Sequence, residues 1–204
     1  MPLSNYAKDN FVAPHLSDFT SAKIEDLSAY ILEQKHWLSN FILNSSFKFK
    51  VPRPERDYIL SFLQRAQTAF EEYELARIHT EEFLARQESG YSSYFSAHHH
   101  WEITVNLIWQ SVRTLHLLTK APGKPFPKGD NSSLEARLNS IANSMKHAEE
   151  RIERGEMPSD GGLSVWLTNK GLKSTKSHLD FEELADYLKQ LGEAADTLSS
   201  LSQK

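Results

Sequence analysis

An antiparallel bundle of about five helices, all-α except for a small β-hairpin inserted before the last helix, is the fold class this sequence predicts. Three observations lead there. Apolar residues recur at steps of three and four through five segments, the spacing that gathers them on one helix face. Two segments open with an acceptor followed three residues later by Glu, the capping-box pattern, at Ser132 and at Asp180. Between them, Asn169-Lys170-Gly171 is turn chemistry flanked by short extended runs.

Residues 1–18 lack periodicity and read as an irregular arm. A first helix is expected over residues 21–44, with Ile24, Leu27, Ile31, Leu38 and Phe41 on its apolar face. Phe47, Phe49 and Val51 alternate with lysines but stop at Pro52, so this run is a loop or an edge segment. Pro54 suits the start of a second helix, where its missing N–H costs nothing. The stripe Ile59, Phe62, Ala66, Phe70, Tyr73, Ala76, Phe83 carries that helix through about eight turns towards Gly90. A third helix spans residues 92–119. Its expected inward face holds Phe95, Val105, Trp109 and Val112 together with His98, Glu102 and His116. The loop at 122–131, rich in Pro and Gly, leads to a fourth helix whose stripe is Leu134, Leu138, Ile141, Met145, Ala148 and Ile152. The hairpin insertion covers residues 160–179. In the last helix Asp180 caps, Glu183 completes the box, and Leu184, Leu188, Leu191, Ala195 and Leu198 face the core. The whole, residues 1–204, is expected to be one helical domain.

Composition excludes several classes of function. With no cysteine, there is no disulfide framework, cysteine zinc site, iron–sulfur cluster or thiol nucleophile. A formal charge of −4 gives no global field for nucleic acid, although a local patch would suffice. The first residues have no apolar core of a signal peptide, and no segment approaches the roughly 20 apolar residues of a membrane span. The expected location is the cytoplasm, without membrane contact, and a homo-oligomer stays open.

Chemistry-bearing residues concentrate on the third and fourth helices. Asn139, Asn143, His147 and Arg151 lie four apart, opposite Ile141 and Met145, with Lys146 beside them. Such a stripe binds a partner through Asn139, Asn143 and His147, or forms a solvated face. His147 has the chemistry of a general base, and Arg151 or Lys146 that of a phosphate-charge stabiliser. In His98-His99-His100-Trp101-Glu102, only His98 and Glu102 have the spacing of ligands on one helix face. His116 is about 27 Å further along the same helix, so His79 or His147 would have to complete a metal set from elsewhere. The simpler expectation is no metal and no cofactor. Glu102 and His98 then form a polar layer inside the bundle, with Glu102 bonded to Asn143, Lys146 or His147, since an unpaired buried carboxylate costs several kcal/mol.

From Tyr94 onwards, about half the chain resembles an uncharacterised bacterial helical protein family. The segments that carry the resemblance are Tyr94-Phe95, His100-Trp101-Glu102, Lys128-Gly129-Asp130-Asn131-Ser132, Arg137-Leu138-Asn139, Asn143, Lys146-His147, Val165-Trp166-Leu167-Thr168-Asn169 and Gly171-Leu172. The layout also resembles HEPN-type bundles, which occur in bacterial toxins and phage defence. Catalytic members carry an Arg followed a few positions later by His. Here Arg137 precedes His147 by ten and Arg113 precedes His116 by three, and neither gap fits. The resemblance therefore implies a non-catalytic binding or regulatory module with a protein or nucleic-acid partner. The alternatives are a metal-independent HEPN-like ribonuclease acting through His147, or a DinB-like metal-binding bundle.

Overall fold

A computed structural model describes residues 3–34, 36–47, 51–86, 91–126, 132–159 and 161–200. Phe49, Gly90, Asp160 and the 127–131 part of the long loop, which carries one resembling segment, lie outside the described residues. The protein is mostly helical, with a three-stranded antiparallel sheet before the last helix. Among the described residues there are eight α-helices: α1 (Asn5–Ala7), α2 (Ser28–Gln34), α3 (Trp37–Phe47), α4 (Glu55–Ala85), α5 (Tyr91–Thr119), α6 (Leu134–Lys146), α7 (Ala148–Glu153) and α8 (Phe181–Ser200). The strands are β1 (Val165–Leu167), β2 (Gly171–Ser174) and β3 (His178–Asp180). No helix among the described residues is long and apolar enough to cross a membrane.

The long pair α4 and α5 is the scaffold. On α4 the expected stripe is buried from Ile59 to Phe83, and Ala66, Ala69 and Ala76 keep it narrow. The face of α5 differs from expectation by about one residue, a rotation of about 100°. Its buried line is Tyr94, Ala97, Trp101, Val105 and Ile108, while Phe95 is 48% exposed. Trp101 sets this register. Its ring meets Tyr73 edge-on and packs on Phe181, and its N–H donates to the Thr80 hydroxyl at 3.1 Å. A satisfied indole is far cheaper to bury than the neighbouring Glu102 carboxylate.

The expected first helix is replaced by an extended strap over residues 19–27, followed by α2 and α3. The strap's amides are taken by side chains from elsewhere in the fold. Thr20 and Ser21 donate to Asn169 Oδ1 at 3.0 and 3.1 Å, and Leu27 donates to the buried Glu74 carboxylate at 2.6 Å. Helix begins only where Asp26 accepts from the Ser28 amide. The N-terminal arm is likewise less irregular than expected. After α1 come a π-helical turn (Lys8–Val12) and a 3-10 turn (Leu16–Asp18), and Val12, Leu16 and Phe19 join the core.

The fourth helix is also divided. Ser133, whose hydroxyl accepts from Ala136, caps α6, but His147 breaks the helix and α7 continues at an angle that leaves Ile152 59% exposed. The last helix starts as the box requires, with Glu183 accepting from the Asp180 amide at 3.0 Å. Arg137 on α6 clamps the same Glu183 at 2.5 and 2.8 Å and holds its carboxyl below the usual carboxylate range.

The insertion has three strands in the order β1-β2-β3 rather than two. Leu179, at the end of the expected hairpin insertion, and Asp180, expected as the helix cap, pair with Leu172 and Gly171. A Cβ on Gly171 would fall inside the Leu179 carbonyl, so this close approach requires glycine. Leu167, Leu172 and Leu179 lie directly opposite one another on the inner face, which packs on α6. The Leu167 amide donates to the Tyr94 hydroxyl. Alternation then places Trp166, Lys173 and His178 together on the outer face.

Candidate functional site

The stripe expected on the fourth helix does not survive as one surface. Asn139 accepts from the Trp109 indole at 2.9 Å, and Trp109 itself stacks on Phe126. Asn143 and Lys146 are exposed. His147 sits at the helix break with Nδ1 3.0 Å from Glu150. Arg151 turns inward, only 7% exposed, and donates to Ser144 Oγ at 2.6 Å and Thr175 Oγ1 at 2.8 Å. The break at His147 rotates the chain between the third and fourth members of the stripe, so equal spacing no longer means a shared face.

Glu102 is half-buried, and it forms no hydrogen bond or ion pair with Asn143, Lys146 or His147 among the described residues. The expected bridge is replaced by Trp109–Asn139, because the rotation of α5 carries Glu102 off the inward line. Its charge acts instead on His98, one turn back. His98 Nε2–H donates to the Val165 carbonyl at 2.9 Å and ties α5 to β1. Burial makes its imidazole harder to protonate than usual, outweighing the opposing Val165 bond and Glu102 charge. The other histidines go elsewhere: His100 meets Glu72 at 2.6 Å and stacks on His79. Among the described residues, no group of three His, Asp or Glu side chains is placed to hold a metal ion.

The structure assembles a different site. An open cleft of about 690 Å³ lies between the outer face of the sheet and the arm. That is the size range of small-ligand sites. Trp166, Lys173 and His178 line it from the three strands, and His15, Asp18 and Phe19 from the arm. Two tight turns supply the ends. At the first, the Thr168 hydroxyl accepts from the Gly171 amide; at the second, the Ser174 hydroxyl accepts from the Lys176 and Ser177 amides. These turns present Lys170 and Lys176.

The charges in the wall are unequal. Lys170 and Lys173 have no carboxylate within ion-pair distance among the described residues, and Lys176 has only exposed Glu156 at 3.7 Å. Of the two wall carboxylates, exposed Asp18 has the His15 ring at 3.8 Å, and Asp180 lies in the field of Arg137. Two buried donors of wall residues, Trp166 Nε1 and Ser177 Oγ, have no partner among the described residues. The arrangement suits a ligand carrying negative charge and hydrogen-bond acceptors.

The sequence pointed to a hairpin here but not to Trp166, Lys173 and His178 as neighbours across its strands. The period-two alternation of Leu172, Lys173 and Ser174 carried the signal for Lys173. His178 depended on a third strand of three residues, which a two-stranded hairpin does not contain. Comparison with protein families, with curated proteins and with solved structures finds no match to this chain.

Proposed function

We propose that the protein is a non-catalytic helical binding module, and that its partner, a protein or a nucleic acid, presents negative charge to the cleft between the sheet and the arm. One observation carries this reading: among the described residues, Lys170 and Lys173 lack carboxylate partners and stand in an open cleft beside buried donors that lack acceptors. Charges of one sign gathered without counter-ions attract a partner of the other and set its orientation. His147, the acid–base candidate, does not line the cleft, and Arg151 is committed to Ser144 and Thr175. A setting in bacterial regulation or phage defence rests on the resemblance alone.

The test places a photo-crosslinking residue at position 173, or at exposed Gln64 on α4, in the native host. A discrete adduct is expected from position 173 and not from 64, and Lys170→Glu in the same chain abolishes it. Nuclease treatment of the adduct identifies the partner as nucleic acid or protein. No adduct from position 173, or the same adduct from both positions, overturns the proposal.

A further inference from the structure

Behind the turn at residues 174–177 lies a cation with no counter-ion. Arg151 is 7% exposed, forms no ion pair among the described residues, and leaves its Nε–H without an acceptor. Among the described residues its bonds go only to neutral hydroxyls, Ser144 and Thr175. A buried guanidinium without a carboxylate is expensive, because it has given up water and received no opposite charge. Ser144 is itself committed inward, where its carbonyl accepts from Ser164. Thr175 is different. It is exposed and lines the cleft, so one hydroxyl separates the buried charge from the open site.

The direction of that bond matters. Thr175 Oγ1 accepts from Arg151, so its own proton points away and is free to be donated outward. Polarised by the cation behind it, the hydroxyl is a stronger donor than an isolated threonine. Ser177, two residues on, has a buried hydroxyl with no partner among the described residues. Lys176 stands between them, and Lys173 and His178 flank the turn on the outer face of the sheet. The Thr175 hydroxyl and the lysine charges thus face a space whose wall also holds Asp18 and Asp180.

We infer that this turn holds a phosphate monoester, with Thr175 donating to its oxygens, Lys173, Lys176 and His178 beside it, and the Arg151 charge relayed through Thr175. The inference rests on the cleft reading above and names the ligand's chemistry. A dianion with three strong acceptor oxygens is what this set of donors lacks.

The purified full chain is titrated with inorganic phosphate, O-phosphoserine and adenosine 5′-monophosphate, each against sodium chloride at equal ionic strength, by calorimetry and amide chemical shifts. Saturable binding is expected, with shifts centred on Thr175 to His178. Thr175→Val weakens it at least tenfold and Thr175→Ser retains it. The double change Lys173→Ala/Lys176→Ala, at two exposed positions, weakens it at least tenfold with an unchanged circular dichroism spectrum. Lys146→Ala leaves it unaltered. Preference for O-phosphoserine or for the nucleotide shows which source supplies the group. If none of the three binds beyond chloride, or if Thr175→Val and the double variant bind like wild type, the inference is overturned. A crosslink from position 173 that persists in that case leaves the cleft reading standing and removes the phosphate chemistry alone.

Discussion

Trp101 and Glu102 are adjacent in sequence, so a helix buries one or the other. Placing Trp101 against Tyr73 and Phe181, with its N–H on Thr80, satisfies both the apolar body and the polar tip. His98, one turn back, is kept neutral by burial and bonded to β1. Its proton affinity is lowered on folding, so the unfolded chain takes up the proton more readily. The contribution to stability is complete above the ordinary imidazole value of about 6.5 and is lost as pH falls through that value towards the lower, folded one. Urea denaturation followed from about pH 8 to about pH 5 is expected to show a falling midpoint. His98→Gln, which keeps a donor and does not titrate, flattens that fall. An equally steep fall in the variant would show that His98 is not its source.

At the scale of elements, the long helices were legible because their own periodicity determines them. The α4 stripe and the box that opens α8 depend on residues three and four apart, and both stand where the pattern puts them. The strap at 19–27 was not legible, because its amides are satisfied by Glu74 and Asn169, far along the chain. An apolar stripe from Ile24 to Phe41 says nothing about such acceptors. The third strand was hidden for a related reason, since Leu179 and Asp180 serve both the ladder and the helix start. Gly171 is the residue on which that ladder turns. Gly171→Ala is expected to cost about 1–3 kcal/mol through overpacking against Leu179. Hydrogen exchange should show the loss first at the amides that pair β2 with β3, with α4 and α5 still protected. Uniform loss across the helices would place the damage elsewhere.

For the whole molecule, one connected core runs from Val12 in the arm to Ala195 in α8. The arm is therefore part of what folds, and it also forms one wall of the cleft. Leu16 and Phe19 are nearly fully buried, and each contributes about 1.5–3 kcal/mol by apolar burial. Removing residues 3–19 is expected to lower the thermal midpoint by on the order of 10 °C and to leave the helical spectrum largely intact. An unchanged midpoint would mean that the arm packs weakly. None of this was readable from residues 1–18, whose apolar members follow no period. The bond from Thr20 to Asn169 spans 149 positions. During synthesis at about 5–20 residues per second, the strap emerges and then waits roughly 7–30 s before its acceptor exists. Through that interval the amides of Thr20 and Ser21 have only water to bond with, whereas the acceptor of Leu27, Glu74, is made 47 residues after it. The N-terminal quarter of the chain is thus made first and finished last, and the growing polypeptide carries an unclosed flank until the hairpin leaves the ribosome.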